Sequence, residues 1–320
     1  MKLSTQVSIS KSEATLSHNV PALLIGSCFS QNIGNKLIDH KFAVHVNPNG
    51  IVFNPISVVN SLKRIADHET YTADELQQYD NKWFSFNHHS SFSSFDKTQC
   101  LKGINTALTE AHNYLQKTET IFITLGSAWV YEYEPIGIVA NCHKIPNKNF
   151  SKRLLSVKEI LTAFDSIKNV LKHYNLVFTV SPVRHSKDGL HENNLSKSTL
   201  HLALHNLVEQ HSNCAYFPAY ELVIDELRDY RFFKDDLVHP SNFAVNYVWE
   251  KFSDCFFNES TIALNTAIQK IKAAVHHKPF NFNSEAHQTF IKNNLALMDD
   301  LSKKNAFLNF EEEKRLLQKS

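Results

Sequence analysis

Glycine is scarce in this chain, with 7 in 320 residues, where average usage of roughly 7% would supply about three times as many. Neither G-x-G-x-x-G nor G-x-x-x-x-G-K-[ST] occurs. The common backbone cradles for phosphate are therefore missing, which excludes kinase, P-loop NTPase and ordinary dinucleotide-binding readings. Where glycine is this rare, each one is expected to hold a backbone shape that other residues cannot. The seven are Gly26, Gly34, Gly50, Gly103, Gly126, Gly137 and Gly189. Cysteine is also sparse: Cys28, Cys100, Cys142, Cys214 and Cys255 are odd in number, widely spaced and without a C-x-x-C pair. That pattern suits free thiols in a reducing compartment. Charge of one sign never accumulates, because 33 Lys+Arg face 32 Asp+Glu and the longest single-sign run is Glu311-Glu312-Glu313. Nucleic acid and anionic lipid are thus disfavoured as partners. No apolar stretch reaches the ~18 residues of a membrane span, and Met1 to Asn19 lacks the apolar core of a signal peptide. The expectation is a soluble, cytoplasmic protein.

What is present is an alternation of short apolar runs and longer amphipathic segments. Val20 to Ile25 ends at Gly26 and leads into helical spacing from Phe29 to Ile38. Phe42 to Val46 precedes the turn Asn47-Pro48-Asn49-Gly50 and a helix starting near Ile56. Amphipathic Ile104 to Leu115 feeds the run Thr120 to Leu125, which again stops at a glycine, Gly126. A helix over Val157 to His173 feeds Leu176 to Val180, and Leu195 to Val208 feeds Cys214 to Phe217. Five such strands predict a doubly wound α/β domain of three layers, with a parallel sheet buried on both faces. A helix from about Asn242 to Phe256 closes that domain, which is expected over residues 1–258. Residues 259–320 are expected to be a helical extension that packs on the domain or on a second copy, the latter giving a homo-oligomer.

In open parallel sheets, ligands sit beyond the carboxyl ends of the strands, so chemistry is sought just after Ile25, Val46, Leu125 and Val180. Gly26-Ser27-Cys28-Phe29-Ser30 places a hydroxyl and a thiol at a helix N-terminus, where backbone N–H groups favour an anion and can lower a thiol pKa. The bland alternative is that Ser27 only caps the helix and Cys28 is a small buried residue. Downstream, Asp236-Leu237-Val238-His239-Pro240 sets an aspartate three residues before a histidine. Such an aspartate can orient the imidazole through Nδ1–H and leave Nε2 as a base. Alone, that motif reads better as a helix cap and a surface histidine, and only its pairing with the first segment changes the reading.

Taken together, the glycine-terminated first strand with a nucleophile at its helix junction and the late D-x-x-H-P resemble the SGNH (GDSL-like) hydrolase superfamily. Within it, Gly26-Ser27-Cys28-Phe29-Ser30 is similar to the signature of the GSCFA family. Asn47 to Gly50 with Asn54-Pro55, Leu125-Gly126, Asn141 to Lys144, Ser181 to His185, Phe217 to Glu221 and Asp236 to Pro240 resemble that family in the same order, over about residues 20–255. The resemblance implies a flavodoxin-like α/β fold and a Cys or Ser nucleophile with a His-Asp relay. Aligned on Gly26, Ser27 takes the superfamily's Asp position and Cys28 its Ser position, which favours Cys28 and leaves Ser27 open. The resemblance also implies oxyanion donors at the amides of residue 28 and Gly50. The third block keeps Gly126 but has Ser127-Ala128-Trp129 where the superfamily has its Asn, so a donor is missing. Asn54, Asn141 and His185 are candidates to replace it, with Trp129 and His143 at the edge of the site.

The resulting expectation is an acyl-ester hydrolase, deacetylase or O-acyltransferase acting on a small-molecule or carbohydrate ester, with no cofactor. The rival is a non-catalytic ligand-binding or assembly protein on a degenerate form of the same fold. Asn141-Cys142-His143 with His185 raises a zinc reading, but adjacency of Cys and His is not the spacing of a structural site, and no metal is expected. His88-His89 could line a sugar or acyl pocket, or belong to an exposed loop.

Overall fold

Leu23, Leu24 and Ile25 are 0–1% exposed, because an unbroken apolar run of this kind fits a strand whose sheet is covered on both faces. In the computed structural model, which describes residues 5–282 and 284–318, this run is β1 (Ala22–Gly26), followed by α1 (Cys28–Asp39), β2 (Val44–Val46) and α2 (Pro55–Asp67). A short hairpin of β3 (Gln77–Tyr79) and β4 (Lys82–Phe84) precedes α3 (Lys97–Leu115) and β5 (Thr120–Leu125). The chain then forms β6 (Trp129–Tyr133), β7 (Gly137–Val139), β8 (Ser151–Leu154), α4 (Val157–Ser166), α5 (Lys168–Leu171) and β9 (Asn175–Val180). Next come α6 (Leu190–Gln210), β10 (Cys214–Tyr216), α7 (Ala219–Glu221) and α8 (Asn242–Phe256), and then α9 (Glu259–Val275), α10 (Glu285–Lys304) and α11 (Glu311–Leu317).

The central sheet has the order β10-β9-β5-β1-β2 and every pairing in it is parallel. This is the flavodoxin-like order expected from five alternating units. Because side chains alternate across a strand, Leu23, Ile25, Ile121 and Ile123 pack with α2, α3, α4 and α6 through Leu62, Ile104, Ile160 and Leu204. Leu24, Phe122 and Val177 face the other way, against Phe29 and Ile33 of α1 and Phe252 and Phe256 of α8. The chain leaves β1 toward β2 on one side and crosses to β5 on the other. The loops after β1 and β5 therefore diverge and open a crevice at the carboxyl edge.

Two features depart from the sequence expectation. The helix expected over 157–173 breaks at Ile167 into α4 and α5. An antiparallel sheet, β7-β6-β8, grows out of the segment after Gly126, where the sequence shows no clear strand period. This small sheet carries Trp129 and Tyr131 over the crevice.

The C-terminal helices bury their apolar stripe in a core of their own, around Ile268, Ile271, Met298, Leu301, Phe310 and Leu317. They dock on the end of α1, where Lys272 Nζ lies 3.1 Å from Asp39 and Gln269 Nε2 lies 2.9 Å from His40 Nε2. Since α1 spans 12 residues, about 18 Å at 1.5 Å each, this docking site is at the amino edge of the sheet, away from Cys28.

Candidate active site at the carboxyl edge

The turn into α1 is built around Gly26, whose φ of +141° suits glycine alone and whose missing Cβ would meet the Thr124 carbonyl oxygen at 2.2 Å. This close approach sets β1 tightly against β5 and fixes where residues 27 and 28 emerge. Ser27 is buried and caps α1, its Oγ accepting from the Phe29 amide at 3.2 Å while its own amide donates to Thr124 O at 3.1 Å. Cys28 is only half-buried. Burial pushes its thiol above the usual cysteine range, opposed by the amides of Cys28 and Phe29 and by the charges of Lys197 and Lys234.

At the other side of the crevice, the loop before α8 folds back on itself, with a bridge between Phe233 and Pro240. Asp236 Oδ1 accepts from the amides of Val238 and His239, both at 2.9 Å, and Oδ2 lies 2.7 Å from His239 Nδ1. The His239 and Val238 amides, together with the imidazole, hold the Asp236 carboxyl down at about 2. Aspartate is thus ionised at any neutral pH and fixes Nδ1 as the protonated nitrogen. His239 Nε2 has no partner among the described residues, and the side chain is 44% exposed. No hydrogen bond joins Cys28 to His239 among the described residues.

His239 and Asp236 line a cavity of about 510 Å³ together with Phe53, Trp129, Tyr131, His185 and Asp188. Its walls come from the segments after β2, β5 and β9, the edge where sequence reasoning sought the chemistry. Trp129 Nε1 donates to Glu192 O at 3.0 Å, which fixes the ring, and Lys152 Nζ sits 4.6 Å from its centroid. His185 packs against Phe53 with the rings tilted and their centroids 5.3 Å apart. Burial, aided by Lys197, draws its imidazole down to about 4 while Asp188 opposes, so the ring is neutral at pH 7.

Several residues expected as oxyanion donors are committed elsewhere. The Gly50 amide donates to Asn47 O at 2.7 Å, closing the Asn47-Pro48-Asn49-Gly50 turn. Its φ of +72° and the position of His89, 2.3 Å from where a Cβ would stand, account for glycine there. Asn54 caps α2, with Oδ1 accepting from Ser57 N at 2.9 Å and Nδ2 donating to Ser57 Oγ and Val139 O. Both of its amide protons are therefore used. The Gly126 amide donates to Phe53 O at 2.8 Å. Asn141 closes a turn by accepting from His143 N at 2.8 Å, and His143 stacks on Phe84 at 4.1 Å while its Nε2 meets Ser85 O. These two residues line a separate cavity with Tyr79 and Lys82. His88 is buried, not part of an exposed loop, and burial takes its imidazole down to about 3.

One functional candidate lay outside the sequence reading. Lys197, in the middle of α6, is 2% exposed and donates to Gly126 O at 2.6 Å and Ser181 O at 2.7 Å. Burial pulls its ammonium from 10.5 down to about 7, partly offset by Cys28. Its only sequence signal was a lysine on an otherwise core-facing stripe with Asn193, Ser196, Leu200 and Leu204. Among the described residues, no group of three or more His, Cys, Asp or Glu is placed to hold a metal ion, and no helix is long and apolar enough to cross a membrane.

The model described as GSCFA family matches residues 21–252, and that described as GSCFA domain protein, C-terminal domain, matches residues 268–320. No curated protein and no solved structure matches the chain.

Proposed function

The chain belongs to the GSCFA family, and from that premise we propose that it is an SGNH-like enzyme acting on an acyl ester, as a hydrolase or an O-acyltransferase. The observation that carries this reading is the Asp236–His239 hydrogen bond of 2.7 Å on the wall of a cavity at the carboxyl edge of the sheet; Cys28 begins α1 at that same edge but is not one of the residues lining the cavity. Cys28 is favoured as nucleophile because Ser27 Oγ is buried and occupied as the helix cap.

In the proposed step the Cys28 thiol gives its proton to His239 Nε2 as Sγ bonds to the acyl carbon. The first-turn amide of Cys28 faces the developing oxyanion. The carbon–oxygen ester bond then breaks, and His239 returns the proton to the leaving alkoxide. Water or a substrate hydroxyl, deprotonated by His239, attacks the thioester and frees Cys28. Cys28 and His239 are not hydrogen-bonded to one another here, so the relay needs the two side chains to approach when substrate binds, catalytic hydrogen bonds being often long before then. Trp129, Tyr131 and Phe53 offer apolar faces suited to a sugar ring or an acyl chain. Carbohydrate esters are therefore the first substrates to test.

The experiment is turnover of acetylated sugars and short-chain nitrophenyl esters by the native protein and by His239→Ala. Native turnover that falls at least ~10²-fold in a folded variant supports the enzyme. A second reading, a binding protein on the same fold, is favoured by the committed amides of Gly50 and Gly126. Saturable binding of a sugar ester with no turnover in either protein would establish it.

A further inference from the structure

Lys197 is a charge-bearing side chain placed where the core has no counter-ion for it. Its Nζ has three donors; two are taken by Gly126 O and Ser181 O, and no carboxylate pairs with it among the described residues. Removing such a charge from water is costly unless it is paired. A residue needed only to satisfy two carbonyls could be neutral.

Sheet register brings Cys28 to the same edge, without a hydrogen bond to Lys197 among the described residues. Gly26 pairs with Thr124 and Leu125 with Val180, so the ends of β1, β5 and β9 lie side by side at a strand spacing of ~4.8 Å. Lys197 Nζ sits on the first residue past β5 and the first past β9, and Cys28 begins just past β1. The charged groups facing Lys197 are Cys28 from α1, His185 from the loop after β9 and His201 from α6 itself, and the Tyr220 ring of α7 lies 6.0 Å away; Cys28 in turn faces Lys197 and Lys234 of the loop before α8. Of these, only Cys28 becomes an anion without leaving the site it serves, since His185 and His201 are bases and Tyr220 ionises only at high pH.

We propose that Lys197 is a positioning residue that sets the ionisation of Cys28, its ammonium being the buried partner of the thiolate. Thiolate on Cys28 and proton on Lys197 favour one another, so the two titrate as a pair. Charge separation of about one to two strand spacings, at an effective dielectric constant of about 20, is enough to alter thiolate population by tenfold or more. The role rests on Cys28 being the nucleophile of the proposed reaction.

The test is the pH profile of Cys28 carbamidomethylation by iodoacetamide, with the modified residue mapped by peptide mass spectrometry. In Lys197→Met the rate at pH 7.5 should fall by about tenfold and the profile move to higher pH, with Lys197→Arg restoring it. An unchanged profile in a folded Lys197→Met overturns the proposal, because a merely structural lysine would not set thiol ionisation. If Lys197→Met does not fold, Cys28→Ala serves instead. Its pH-dependent unfolding between pH 7 and 10.5 should show the lysine titrating at lower pH than in the native chain, and no change overturns the proposal. Alkylation needs no ester substrate, so failure of the ester panel would count against the acyl-ester reading and leave this result standing.

Discussion

Asp236 holds His239 through both its carboxylate oxygens: Oδ2 meets the ring at 2.7 Å, and Oδ1 meets the His239 amide at 2.9 Å. A single aspartate thereby fixes the backbone that carries the histidine and the tautomer of its ring. Asp236→Ala should cut kcat/KM on any turned-over ester by about 10²–10⁴-fold. Because the aspartate is half exposed, the far-UV circular dichroism should stay native. Steady-state kinetics beside a melting curve separate these, and a fully active Asp236→Ala would remove His239 from the mechanism.

Lys197 makes a prediction about stability. Its folded pKa, about 7, lies below the ordinary 10.5, so between those values the unfolded chain binds more protons. Stability therefore rises with pH across that window. The difference in unfolding free energy between the native chain and Lys197→Met should grow from pH 7 to pH 10.5, by on the order of 5 kcal/mol at most. Urea midpoints at several pH values read this directly. A difference that is flat or falls with pH would refute the buried-lysine account.

Gly26 and Gly103 should respond oppositely to alanine. At Gly26, positive φ and the Thr124 carbonyl both oppose a Cβ, and Gly26→Ala should destabilise by roughly 3 kcal/mol or more. Gly103 sits exposed in α3 with nothing within 4 Å of a Cβ. Gly103→Ala should stabilise by up to about 1 kcal/mol. Thermal unfolding of the pair tests both signs at once.

Phe310 is 1% exposed in the core of the C-terminal helices. Phe310→Ala should cost about 3–5 kcal/mol locally. Since those helices dock at the amino edge of the sheet, kcat/KM should hold at temperatures below unfolding. Loss of activity with the fold intact would show that the two edges are coupled.

The strands of the central sheet were legible because each is a short run broken by a glycine or a turn, and the inner ones, β1, β5 and β9, are mostly apolar and buried on both faces. The Asp236–His239 spacing was legible for the same local reason, since three residues suffice to bring the two side chains together. The accessory sheet was not, because Trp129 to Leu154 has mixed polarity and owes its pairing to the crevice it covers. Whether the N–H groups of Gly50, Gly126 and Asn54 are free was not legible, because a glycine or an asparagine at a given position says nothing about whether its N–H is already taken. Asn47, Phe53 and Ser57, which take the N–H groups of Gly50, Gly126 and Asn54, reach them only through folded turns and a helix cap.

Residue order alone determined the five-strand alternation and the scarce glycines at the end of β1 and just past β5, since period and turn chemistry act over a few neighbouring residues. Tertiary structure decided what those strand ends do. It buried Ser27 as a cap and left Cys28 half open. It also brought Lys197, 169 positions further along the sequence, against the carbonyls of Gly126 and Ser181. Parallel register sets such neighbours across strands, and no local pattern records it.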